Sequence, residues 1–351
     1  MYYVKKITSV ILIIFILTSS LTSCFFRGGY VVSTRPSGES TDTYESTSVK
    51  DTTIPDTTET TPEITTEPPV TTTEEVFPPE IPISSITDAM LNVRAQNAFV
   101  YNVTDGTLLA MKGDGLNISP ASVTKLLSIL YALSVCPESY EITPKQEELN
   151  MVGSGSSIAY IKTNHRLTVA QLVKGMLLPS GNDAAYTLAA GVGRYVANDP
   201  NMCGADAVAL FMKGVNEYAA SIGCTGTCYT VPDGLAGDEH YTSTHDLIIV
   251  GEAALNNELI SSYTKIVSER VRYASGHYMT WNNTNKLINP DDSYYSPYVT
   301  GLKTGSLTDN YCIYASADID GKTYLIGIFG SPTKNSRYDD AHILLNALLG
   351  K

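Results

Sequence analysis

Residues 98–104, Ala-Phe-Val-Tyr-Asn-Val-Thr, form a short run rich in aromatic and β-branched residues that ends at a turn signal, which predicts a strand. Asp105-Gly106 reads as a tight turn, and residues 107–112 as the partner strand. The same grammar returns late in the chain: a strand over 311–319, the turn Asp320-Gly321, and a strand over 323–329. Between the hairpins the pattern becomes that of a helix. Ser119 predicts an N-cap and Pro120 a first helical position. Val123, Leu126, Leu127, Leu130 and Leu133 then share one helix face. Further helices are predicted over 169–178 and from Asn182-Asp183 through Ala190. Ser243 with Asp246 predicts a capping box for a helix to Leu255, and Ser336 with Asp339 another for a helix over 340–349. Strands at both ends with helices between them predict an α+β fold. One antiparallel sheet packs against helices, and a helical subdomain is inserted between the N-terminal and C-terminal strands.

The pattern before residue 85 differs. Met1 to Lys6 is short and positive, and an apolar run follows from Ile7 to Leu17. That order predicts a secretory signal. Thr18-Ser19-Ser20 interrupts the run too soon for a membrane span. Leu21-Thr22-Ser23-Cys24 resembles a bacterial lipoprotein cleavage box, with Cys24 as the lipidated first residue of the mature chain. Such a lipid would hold the protein on the outer face of the cell membrane. The alternative is an ordinary cleavage site with a chance cysteine. From 33 to 82 the chain is Thr, Ser, Pro and Glu with almost no large apolar residues, a composition that predicts disorder. A coil of roughly 45 residues reaches about 40 Å, enough for a tether. The expected organisation is a signal over 1–23, a linker over 24–84 and a folded domain over 85–351.

Charge sharpens this division. The 351 residues carry a formal net charge of −13. Eleven acidic residues against the single Lys50 lie between Pro36 and Glu80, so the linker holds ten of those charges. The folded part is nearly neutral and has no basic stripe, which argues against a nucleic-acid partner. Beyond Cys24 the cysteines are Cys136, Cys203, Cys224, Cys228 and Cys312, an odd number. An exported setting permits one bridge among Cys203, Cys224 and Cys228, with the pair left open. Cys224 and Cys228 have no histidine at ligand spacing, so no metal site is expected.

Three short motifs carry chemistry. In Ser122-Val123-Thr124-Lys125 the two functional residues stand at i and i+3, on one helix face. A serine hydroxyl needs a neighbouring base to become a nucleophile. Lysine can serve only when neutral, which requires burial or a nearby cation. Amides in a first helical turn can steady a developing oxyanion. An ordinary amphipathic helix would give the same spacing. In Ser180-Gly181-Asn182 a small turn before a helix can present a hydroxyl that relays a proton and an amide that binds a peptide backbone. The plainer reading has Asn182 or Asp183 satisfying helix donors. In Lys303-Thr304-Gly305, followed by Ser306, a strand offers a cation, two hydroxyls and close backbone approach. Together these can grip a carboxylate. The plainer reading is a strand end turning through glycine.

The three motifs occur in one chain in the order Ser-x-x-Lys, Ser-x-Asn, Lys-Thr-Gly, a triple shared by penicillin-binding proteins and class A β-lactamases. Over residues 86–330 the sequence resembles the low-molecular-mass penicillin-binding proteins, the serine D-alanyl-D-alanine carboxypeptidases. The resemblance extends to Ser119-Pro-Ala before Ser122, Leu178-Pro before Ser180, Asp233-Gly-Leu235, His240 to Leu247, and Gly301-Leu before Lys303. It implies an acyl-enzyme on Ser122 with Lys125 as base. Ser180 would shuttle the proton to departing D-alanine, and Asn182 would hold the peptide. Lys303, Thr304 and Ser306 would bind the terminal carboxylate, beside Gly305. The amides of Ser122 and Ser306 would form the oxyanion hole. The implied partners are peptidoglycan stem peptides and β-lactam antibiotics, with no cofactor and no metal. Asp309-Asn310 departs from the small residues common at that place, which leaves the cleft floor open.

Rival readings remain. A β-lactamase needs a deacylation base, and Glu147-Glu148-Leu149-Asn150 resembles one, but it precedes Ser180 where class A enzymes place it after the second motif. A DD-endopeptidase cutting cross-links would use the same motifs. A non-catalytic wall-binding domain would have no need of Ser122, Lys125 and Lys303.

Overall fold

In the computed structural model, which describes residues 83–351, the strand-forming runs at both ends of the chain resolve into one five-stranded sheet. Helix α1 (Ile83–Met90) leads into the hairpin β1 (Asn97–Asn102) and β2 (Thr107–Lys112). A 3₁₀ turn (Ala121–Val123) opens α2 (Thr124–Val135). A short ladder of β3 (Glu141–Ile142) and β4 (Leu167–Thr168) brackets α3 (Gln146–Leu149). Helices α4 (Val169–Leu177), α5 (Asn182–Ala197), α6 (Gly204–Ser221), α7 (Thr244–Asn256) and α8 (Glu258–Tyr263) follow. A second hairpin pairs β5 (Ser268–Arg272) with β6 (Tyr278–Asn282). The chain then returns through β7 (Val299–Leu307), β8 (Asn310–Ile319) and β9 (Lys322–Ser331) and finishes in α9 (Ser336–Leu348). The sheet order is β2-β1-β9-β8-β7, antiparallel throughout.

Period-two alternation decides what each face of the sheet covers. Val100, Ile313, Ala315, Ile326 and Ile328 pack with Ile86 of α1 and Leu344 and Leu345 of α9. The residues between them, Phe99, Tyr314, Leu325 and Phe329, turn to the opposite face and join Leu126 of α2 and Leu247 and Val250 of α7. Both faces are therefore buried, and β8 and β9 read as nearly continuous buried runs. Asp340, fully buried in α9, accepts the backbone N–H groups of Arg94 and Ala95 at 3.1 and 3.0 Å. It thereby ties the last helix to the entry of β1. Among the described residues no helix is long and apolar enough to cross a membrane. The expected signal, Cys24 and most of the linker lie outside the described residues.

Several elements differ from expectation. Ser119 does not cap α2: Ala121 adopts φ +48° and the 3₁₀ turn intervenes, so the α-helix starts at Thr124. The cause is tertiary, since this turn is wedged between Gly234 and Gly305. Ser243 Oγ does accept the Asp246 N–H at 3.1 Å, but the Asp246 carboxylate faces the 225–227 turn instead of completing a box. The last helix begins at Ser336, four residues before the expected start, because Thr333 Oγ1 accepts the Ser336 N–H. Asp339 pairs with Arg94 and caps nothing. Cys203 and Cys224 are free thiols, so the expected bridge among Cys203, Cys224 and Cys228 does not form. Cys203 Sγ instead accepts the Asp206 N–H at the start of α6.

Candidate active site

The 3₁₀ turn before α2 holds Ser122 against the strand β7. A side chain on Gly305 would meet Ala121 Cβ at 2.9 Å and the Pro120 oxygen at 2.9 Å, so glycine is what allows strand and turn to touch. One turn into the helix, Lys125 is completely buried. Its Nζ donates to Ser122 Oγ at 2.8 Å, to Asn182 Oδ1 at 2.8 Å and to the Asp233 carbonyl oxygen at 3.0 Å. Burial pushes the Lys125 amine down to about 8, against the opposing charges of Asp233 and Asp183. An amine lowered this far and 2.8 Å from a hydroxyl can act as a general base once it has lost its proton.

The second motif sits opposite. Ser180 adopts φ +60°, an uncommon conformation for a residue with a side chain. Its neighbours fix it: Gly181 N–H bonds to the Gly175 oxygen at 2.9 Å and Asn182 N–H to the Ser157 oxygen at 2.8 Å. Asn182 opens α5 and turns its carboxamide oxygen to Lys125, which leaves its NH₂ end for the cleft. Asp183 does the structural work expected of such a position, accepting from the N–H groups of Ala159, Ile161 and Ala184.

The third motif completes the ring. Lys303, 1% exposed, donates from Nζ to Ser180 Oγ at 2.8 Å and to the Thr304 oxygen at 2.9 Å. Burial, then the charges of Lys125 and Arg337, hold its amine well below the ordinary lysine range. Thr304 Oγ1 shares a 2.6 Å hydrogen bond with Thr284 Oγ1. Ser306 is exposed, and its Oγ accepts from Arg337 at 3.0 Å. Ser122, Ser180, Asn182, Thr304, Gly305 and Ser306 line one cleft of about 830 Å³.

Three contributors escaped sequence reasoning. Arg337, in the first turn of α9, lines the cleft and donates to the Gly305 oxygen at 2.8 Å and the Cys312 oxygen at 3.2 Å. It is a cation within reach of a carboxylate, and 3% exposure of an arginine in a helix was the signal only coordinates could supply. Thr284 supports Thr304 from a loop 20 residues away. The Asp233 carbonyl meets Lys125 across 108 residues. Asn310 does not line the cleft but braces it from behind. Its amide donates to the Ser119 oxygen at 3.3 Å and its oxygen accepts the Gly330 N–H at 3.1 Å, joining the approach to Ser122 to the β7–β8 turn. Glu148, the rival base, is fully buried and paired with Arg194 at 3.0 Å. Glu147 meets the same guanidinium at 2.7 Å, and neither glutamate lines the cleft.

Residues 84–333 match the family described as D-alanyl-D-alanine carboxypeptidase. The chain is 26% identical over 249 residues to D-alanyl-D-alanine carboxypeptidase DacF of Bacillus subtilis, covering 69% of this chain and 59% of that one. It is 28% identical over 266 residues to a D-alanyl-D-alanine carboxypeptidase of a Streptomyces strain, covering 72% and 87%. The matched region thus spans less than two thirds of the Bacillus protein's own length. Among solved structures, a Streptomyces DD-transpeptidase superposes with a TM-score of 0.65 at 27% identity, covering 74% of this chain and 98% of that one.

Proposed function

Since the chain belongs to the D-alanyl-D-alanine carboxypeptidase family, we propose that it removes the terminal D-alanine from peptidoglycan stem peptides through an acyl-enzyme on Ser122. The observation that carries this reading is the position of Lys125 Nζ, 2.8 Å from Ser122 Oγ in the same cleft as the Lys303–Ser180 pair. Neutral Lys125 takes the Ser122 proton while Oγ forms a bond to the carbonyl carbon of the penultimate D-alanine. The amides of Ser122 and Ser306 receive the oxyanion. As the tetrahedral intermediate collapses, the peptide C–N bond breaks, and Ser180, backed by Lys303, passes a proton to the departing nitrogen. Ser180 recovers its proton from the ammonium formed on Lys125, which leaves Lys125 neutral for the second half of the reaction. Thr304, Ser306 and Arg337 hold the terminal carboxylate, and the Asn182 NH₂ holds the peptide on the acyl side. Water cleaves the ester, with Lys125 again as base. A β-lactam enters as a mimic of the same acyl donor and inhibits by occupying Ser122.

Cys24 would carry the lipid that tethers the mature chain to the outer face of the membrane, within reach of the wall. Mass analysis of products from a pentapeptide ending in D-Ala-D-Ala tests the central reading. Loss of one alanine supports it. Cleavage of cross-linked dimers alone would replace it with an endopeptidase, and rapid turnover of penicillin with a β-lactamase.

A further inference from the structure

Asp233 stands behind the Ser122–Lys125 pair, and its two ends act separately. Its carbonyl oxygen accepts from Lys125 Nζ at 3.0 Å and from Ser122 Oγ at 3.4 Å. Its carboxylate is buried at 1% exposure. Oδ1 accepts the Leu235 N–H at 3.1 Å, while Oδ2 is buried with no hydrogen-bond partner among the described residues. A buried carboxylate oxygen without a partner is costly. If the side chain served only to cap the turn, a neutral asparagine would do so at lower cost. The negative charge therefore has another use.

That use is visible in the charges around the amine. Lys125 is opposed by Asp233 from this turn and by Asp183 from α5, both of which favour the ammonium. Lys303 on β7, itself facing Arg337 on α9, repels it. Tyr186 of α5, lifted well above the ordinary tyrosine range mainly by burial, also feels Asp233. His240, whose ring bonds to Thr124 Oγ1 at 2.8 Å, is pushed down to about 4 by burial and adds no charge at neutral pH. When Lys125 takes the Ser122 proton, a new ammonium forms in a dry pocket that already holds two basic side chains. An uncompensated buried charge there would raise the barrier.

We propose that Asp233 is a positioning residue for acylation: its carbonyl oxygen aligns the Lys125 amine on the Ser122 hydroxyl, and its buried carboxylate supplies the charge that lets this amine keep the proton it takes. The inference rests on the acyl-enzyme reading above. Proton and electron pair stay in balance: the proton moves from Oγ to Nζ, and the Oγ pair enters the new C–O bond.

Asp233→Asn retains the shape and the acceptor for the Leu235 N–H and removes the charge. The second-order rate of labelling by a fluorescent penicillin, measured from pH 5 to pH 10, is the readout, with labelled sites counted at saturation. The acid limb of the variant should lie about one pH unit below that of the wild type, and its plateau should fall by up to about tenfold, since a weaker base drives the proton transfer less. A limb that stays in place, whatever the plateau does, overturns the proposal and leaves the carboxylate as a turn cap. Should the variant fail to fold, carbon-13 NMR of the wild type decides: the Asp233 carboxyl resonance must move as Lys125 titrates, and a flat Asp233 trace through that range overturns the proposal. Absence of labelling in the folded wild type would instead remove the acyl-enzyme reading itself.

Discussion

Lys303 Nζ donates to Ser180 Oγ at 2.8 Å, joining two motifs 123 residues apart. Lys125 makes the corresponding contact with Ser122 on the other side of the cleft. Two buried lysines, each bonded to a serine hydroxyl, give the site one hydroxyl to attack and one to pass a proton on. Each amine also disfavours the charge of the other, because both sit in the same dry region.

Lys303→Met keeps most of the side chain's volume and removes the amine. Acylation by a labelled penicillin should slow by about 10²-fold or more, the range for loss of a proton-transfer group. The melting temperature should change little, because a buried amine pressed toward neutrality contributes little ionic stabilisation. An unchanged acylation rate would remove Lys303 from the proton path.

The Lys125 amine lies at about 8, so the base is mostly protonated at neutral pH. The rate of acylation should rise about tenfold per pH unit below 8 and level off above it. Stability should follow the same group with a definite sign. Between about 8 and the ordinary value of 10.5 the unfolded chain holds a proton that the folded chain lacks, so stability rises with pH through that window. Below about 8 the cost of the buried ammonium is present in full. A kinetic limb near 6.5 would assign the titration to another group.

The three motifs were legible because each is local. Ser122 and Lys125 share a helix face by spacing alone, and the hairpins announced themselves through Asp105-Gly106 and Asp320-Gly321. What sequence could not carry was the meeting of distant residues. Arg337 approaches Ser306 across 31 positions, and Asp233 reaches Lys125 across 108. The start of α2 departs from expectation for the same reason, since contact with Gly234 and Gly305 overrides the local preference of Ser119 and Pro120. The β5–β6 hairpin escaped because each strand buries a single residue, Val271 or Trp281, and its remaining positions resemble a loop. Helix α6 escaped because its cap is a cysteine thiol, outside the usual capping residues.

Asp340 offers a test of stability apart from chemistry. Asp340→Ala strips the acceptor from the Arg94 and Ala95 backbone amides and from Ser331 Oγ. Hydrogen bonds to a charged acceptor, lost from donors that are then left unsatisfied, should cost about 3 kcal/mol. Denaturant melts should show that loss, while acylation per folded molecule stays at the wild-type rate, because Asp340 does not line the cleft. A variant as stable as the wild type would mean that packing and the Arg94–Asp339 pair hold α9 to β1 without Asp340.

Gly234 and Gly237 stand three residues apart and should respond oppositely to the same substitution. A side chain on Gly234 would fall 1.9 Å from the Ala121 oxygen and 2.7 Å from Thr124 Oγ1, and the backbone there has φ +82°. Nothing lies within 4 Å of the corresponding position on Gly237. The obstacle at Gly234 is backbone, so relief requires moving the turn that carries Ser122. Gly234→Ala should therefore destabilise the fold by about 1–3 kcal/mol through the left-handed backbone alone, and by more once the clash is included. It should also slow acylation at least 100-fold, because a displacement near 1 Å at the nucleophile is enough for that loss. Gly237→Ala should leave both quantities within error of the wild type. Equal behaviour of the two variants, whether both tolerated or both inactive, would show that the turn at 233–235 does not set the position of Ser122.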